Sequence, residues 1–154
     1  KSFYYHFKDK YDLVNWIFDT EFIALMKDEN LDANYPNYKE RWVFIEKICG
    51  YFYENHAFYR KALQIKGQNS FSDHFREYIR PLLADRISHL LGQEQPDEFI
   101  MEFFTDAVLC AMEHWLLNKE CMPPEQFLAK IKVIMEDGAQ SICREMAQTE
   151  QASS

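Results

Sequence analysis

Only four glycines and five prolines interrupt 154 residues, and between them the apolar residues recur at three- and four-residue steps. That step places side chains along one side of an α-helix, whereas a strand would need strict alternation. So little glycine and proline also leaves too few turns for a fold of many short strands. An all-α chain is expected. With 47% apolar and 16% aromatic residues it can bury one substantial core, and its length argues for one compact domain with an appendage.

The helices can be placed by their stripes and stops. The first runs from Asp9 to about Asp28, with Leu13, Ile17, Phe18, Phe22 and Met26 inward and Asp9 as the capping residue. Glu29 to Asn37 ends it with Asn, Asp and Pro. A second helix covers Tyr38 to Asn55, where Gly50 marks a close helix contact or a ligand lying on backbone. A short third follows through Phe58 to Ile65 and stops at Lys66-Gly67. Ser70 or Ser72 caps the fourth, which reaches about Leu91 and should bend near Glu77 to Pro81, since proline removes a backbone bond. Two long helices close the chain, one opening at Pro96-Asp97-Glu98 and one at Pro123-Pro124-Glu125; the tail from Gln148 is polar and expected to fray.

The opening stretch, KSFYYHFKDKYDL, is the most specific signal. On a helix Phe3 and Phe7 share one side, with Tyr4 on its shoulder, while Ser2, Tyr5 and His6 face the other way. Isolated helices shorter than about 12 to 15 residues are marginal in water, so this short segment needs support from elsewhere. Lys10 stands in the first turn of the next helix, an unfavourable place for a cation unless an anion is near.

Ser2 to Leu13 resembles the end of the DNA-binding domain of TetR-family transcriptional regulators, a recognition helix followed by the first turn of a connector. The resemblance implies that Phe3 and Phe7 are head core, that Ser2, Tyr4, Tyr5 and His6 meet operator DNA, and that Lys10 meets a phosphate. In that family two more helices precede this point; they are absent from this sequence, so it alone is not expected to hold an operator. The implied architecture is a TetR-like helical bundle, with residues 1–12 as the remnant of a helix-turn-helix domain and 13–154 as a ligand-binding and dimerisation domain. The implied function is transcriptional regulation, most simply repression, by a cytoplasmic homodimer whose effector alters operator affinity.

The segment from Trp115 to Lys119 and from Met122 to Phe127 resembles the turn between the two closing helices of that family, which pair with their copies in a second subunit. The implied dimer face comprises Phe104, Ala107, Val108, Ala111 and Trp115 on one helix. Ile131, Ile134, Met135, Gly138 and Ile142 supply it from the other. The same segment is similar to the subset related to dihydroxyacetone kinase regulators, some of which work with a protein partner, so a co-regulator of the same fold controlled by a polypeptide is the alternative.

Charge and chemistry fit this division. The net charge of −8 suits no chain that grips nucleic acid over its whole surface, yet Lys1 to Lys10 holds three lysines against one aspartate. Cys49, Cys110, Cys121 and Cys143 form no C-x-x-C pair, so reduced cytoplasmic thiols are expected rather than zinc or disulfides. The five histidines show no metal-binding spacing, there is no glycine-rich phosphate loop, and no catalytic grouping emerges; neither an enzyme, a cofactor nor a metal is expected. No apolar run is long enough for a membrane span. Aromatic residues are the better clue: Trp16, Phe22, Trp42, Phe52, Tyr53, Tyr59, Phe75, Tyr78 and Phe103 come from different helices and could together line a small-molecule pocket.

Overall fold

The computed structural model describes residues 7–28, 38–67, 70–91 and 97–152, which contain six helices and no strand. In chain order these are α1 (Lys10–Asp28), α2 (Tyr38–Glu54), α3 (His56–Gln64), α4 (Phe71–Leu91), α5 (Glu98–Leu117) and α6 (Pro124–Ala152).

Three helix starts follow from local chemistry. Asp9 accepts from the amides of Tyr11 and Asp12 at 2.8 and 2.9 Å, satisfying two of the donors that a helix start leaves open. Ser70 rather than Ser72 caps α4, accepting from the Asp73 amide at 3.3 Å while its hydroxyl donates to the Asp73 carboxylate at 2.9 Å. Asp97 caps α5 through the Ile100 amide. Pro81 stands on the exposed side of α4, and the chain remains helical across it. The expected fraying from Gln148 is not seen, for α6 continues to Ala152.

Packing centres on Phe18 of α1. Its ring lies 4.9 Å from Phe22, 5.4 Å from Phe71 of α4 and 6.4 Å from Phe52 of α2, and all four rings are buried. Around that cluster α4 runs along α5, the most extensive helix pairing, while α3 leans on α5 and α2 on α6. By contrast α5 and α6 touch each other sparingly.

Polar bonds fix the ends of the helices to one another. His56 Nε2 donates to the Leu116 carbonyl at 2.9 Å, and Arg60 Nε to the Leu117 carbonyl at 3.1 Å, so α3 supplies donors to the open C-terminal carbonyls of α5. Trp115 Nε1 donates to Met122 O at 2.8 Å, and its ring stacks on Phe127 at 4.6 Å, which sets the turn from α5 to α6. Between α4 and α5, Arg76 Nη2 donates to Glu113 Oε2 at 2.6 Å and Ser72 to Glu113 Oε1 at 3.3 Å. Glu113 is only 8% exposed, and these bonds satisfy a carboxylate that would otherwise be costly to bury.

Candidate effector and dimerisation surfaces

The start of α1 comes first in chain order. Ser2, Tyr4, Tyr5 and His6 lie outside the described residues, as does Phe3. Lys10 is the first residue of α1; it is exposed, its ammonium 5.4 Å from the Tyr11 ring centroid. Phe7 packs edge-on against Trp16 at 5.5 Å, and Trp16 remains 53% exposed.

Beyond that point α1 is tied to the body at three levels. Tyr11 Oη donates to the Lys66 carbonyl at 3.0 Å, its ring tip filling the space beside Gly67, whose φ of +151° favours glycine. Asp19 meets His74 of α4 at 2.6 Å. Glu21 accepts from Tyr51 at 3.3 Å, and Tyr51 and Tyr59 share a 2.6 Å bond, giving a relay from α3 through α2 to α1. Since Tyr51 gives its proton to Glu21, Tyr59 is the donor to Tyr51. Burial, then the bond to Tyr51, pushes the Tyr59 phenol far above its usual range.

The nine aromatic residues expected around a pocket divide into five situations. Phe22, Phe52, Tyr59 and Phe75 are fully buried and in ring contact, Phe52 lying 5.0 Å from both Phe22 and Tyr59 and 5.4 Å from Phe75. At such spacing the rings fill the centre instead of lining it, so these four are core. Tyr53 and Tyr78 sit at the surface, Tyr53 over Trp115 at 6.5 Å and Tyr78 beside Phe18 at 5.9 Å. Trp16 belongs to the α1 start, and Phe103 projects from the outer side of α5, stacked on Phe99. Trp42 borders a small hollow between the helices.

That hollow, about 40 Å³, lies between α2, α4, α5 and α6. Trp42, Ile45 and Cys49 come from α2, Leu83 and Ile87 from α4, Val108 and Met112 from α5, and Phe127, Leu128, Ile131 and Met135 from α6. No described residue of α1 borders it. Burial pushes the Cys49 thiol up to about 12, so this group stays neutral. Protein interiors hold few voids larger than a water molecule, and one of this size costs about 1 kcal/mol of lost packing.

Next to it, on the outer side of α5 and α6, a groove of about 270 Å³ is lined by Phe103, Phe104, Ala107, Val108, Ala111, Ile131, Ile134 and Met135. Three of these, Val108, Ile131 and Met135, border both spaces. Phe103 is 60% and Ile134 62% exposed, large for apolar side chains side by side on one face. Of the ten residues expected in a dimer face, Ala107 and Ile134 are exposed, and Val108, Ala111, Ile131, Gly138 and Ile142 half-buried. Phe104, Met135 and Trp115 are buried within the chain. Phe104 and Met135 still form the groove floor, but Trp115 is committed to Phe127 and Met122 and lies off this face. Phe103, assigned by sequence to the pocket, stands here instead.

Comparison with known proteins decides the family. Residues 40–137 match a TetR-type family model whose description is "Transcriptional regulator C-terminal region". The chain belongs to the TetR family of transcriptional regulators. No curated protein and no solved structure matches it. The stretch matched in this TetR-family chain spans nearly all of α2 through the first half of α6, and so includes every residue bordering the hollow and the groove. Gly138 and Ile142 fall just beyond it.

The walls Leu83, Ile87, Met112 and Leu128 carry no sequence signal of a cavity, since each simply falls on the apolar stripe of its helix. Their signal is no different from that of core positions, because helical spacing says which side of a helix is apolar and not whether the neighbours meet there. Among the described residues no helix is long and apolar enough to cross a membrane.

Proposed function

We propose that this chain is the regulatory body of a homodimeric, effector-responsive transcriptional repressor acting in the cytoplasm. The observation that carries the reading is the apolar face of α5 and α6, where Phe103 and Ile134 stand exposed around a groove that a single chain leaves unfilled. A second copy applied by a twofold axis would cover it. In the protein carrying a complete helix-turn-helix, Ser2, Tyr4, Tyr5 and His6 would read the operator and Lys10 would meet its phosphates. Two heads would then address half-sites about 34 to 36 Å apart.

The effector site in this reading is the hollow between α2, α4, α5 and α6, rather than the aromatic centre. Its occupant would favour one arrangement of the body over another, and so alter the separation of the heads. The filled aromatic centre favours, as a second reading, a co-regulator of the same fold controlled by a protein partner.

Sedimentation equilibrium at micromolar concentration tests the dimer; a species of only the 18.5 kDa chain mass would refute it. Gel retardation of the protein with its complete head, on DNA flanking its own gene, tests the regulator. Absence of any retarded band at low salt would refute that part.

A further inference from the structure

We propose that the hollow between α2, α4, α5 and α6 takes a small, uncharged, apolar molecule, on the order of a xenon atom or the tip of a branched hydrocarbon. This rests on the effector-responsive reading above and names the chemistry of its ligand.

The walls decide the class. None of the described residues around the hollow carries a formal charge, and the Cys49 thiol is held neutral by its burial. A carboxylate or ammonium entering there would give up its hydration with no ionic partner among the residues that line the hollow. Water fares little better, since it needs two to four polar contacts to remain in a cavity. Size narrows the choice further. The 40 Å³ available exceeds the roughly 10–15 Å³ that one water needs and falls well short of the ~150 Å³ of a cavity that admits benzene.

Access and adaptability also come from the walls. Ile45, Leu83, Val108 and Ile131 are half-buried, so the hollow is reached from the surface between them. Met112 and Met135 are buried behind. Their unbranched thioethers can repack around guests of different shape, as methionines do at adaptable binding surfaces.

The test uses the chain with ¹³C-labelled methionine methyls, titrated with xenon under pressure. Met112 and Met135 should shift along a saturating curve while Met26, Met101, Met122 and Met146 do not. Acetate and tetramethylammonium should leave Met112 and Met135 unmoved. Leu83→Phe, which places a ring in the hollow, should abolish saturation, and Val108→Ile should weaken it should the larger change prevent folding. A uniform, non-saturating xenon response, or saturation by either ion at these two methyls, would overturn the proposal. The two readings fail separately. A dimer that retards DNA but ignores xenon overturns the ligand class alone, and saturable xenon binding without retardation overturns the regulator alone.

Discussion

The ring of Phe104 rests on bare backbone at Gly138: a Cβ added there would fall 2.9 Å from the ring's Cζ and 3.1 Å from Cε1. This is where α5 and α6 approach each other, and glycine makes the approach possible. In a helix, alanine at this position would gain about 1 kcal/mol from propensity. Against that, Phe104 is buried against Ile87 and Met135 and its ring must be displaced, an overpacking cost of about 1–3 kcal/mol. Gly138→Ala is therefore expected to lower stability by about 1 kcal/mol net. Urea unfolding checks it, and a gain of similar size would show that the ring moves freely.

Ile134 and Trp115 should separate association from folding. Ile134→Glu adds a charge at an exposed position, so the monomer should change by no more than about 0.5 kcal/mol. Dimer dissociation should rise about tenfold or more, because the carboxylate would be buried without a partner. Trp115→Ala should instead cost about 3–5 kcal/mol in folding, as it empties a buried site. Sedimentation and urea unfolding on both variants distinguish the two effects.

The Arg76–Glu113 pair should respond unequally to removal of its halves. Arg76 is partly exposed and can rejoin solvent, whereas the Glu113 side chain is almost wholly covered. Arg76→Ala leaves that carboxylate with only Ser72 as a partner and should destabilise by about 2 kcal/mol. Glu113→Gln keeps hydrogen-bonding capacity and should cost less. Equal losses would mean that the carboxylate is better hydrated than its burial indicates.

Stability should fall on the alkaline side because of Cys49. In the unfolded chain a thiol loses its proton near 9.0, while in the fold burial holds it to about 12. Between those values the folded state binds the extra proton, so stability present below pH 9 declines by about 1.4 kcal/mol per pH unit as pH rises toward 12. Tyr59, also pushed upward by burial, adds to the decline above 10.0. Cys49→Ala should flatten the slope between pH 9 and 10, measured by urea unfolding at stepped pH.

Much of this architecture was readable in advance because caps and stops act locally. Asp9, Ser70 and Asp97 each begin a helix by bonding amides two or three residues ahead, and nothing distant needs to be known. Gly50, for which a close helix contact or a ligand is expected from sequence, has nothing within 4 Å of an added Cβ, whereas Gly138 meets the Phe104 ring. Whether a glycine touches a neighbour depends on the facing helix. The same limit applies to Phe103 and Phe104. Adjacent residues point about 100° apart on a helix, so one is buried and the other projects, and which does so is set by how α5 is turned against α4. Aromatic content carries a related limit, since rings from several helices can enclose a space or fill it, and composition is the same in both cases.

The hollow borrows three of its side chains from the groove and, among the described residues, none from α1. A guest inside would thus have no direct grip on α1, which in the proposed reading would be the connector to the operator-reading end. Its message would have to pass sideways first, by resetting Val108, Ile131 and Met135 and with them the fit between two subunits. In the reading proposed above, control would be exerted on the handshake between copies, and the reach of each arm would follow from it.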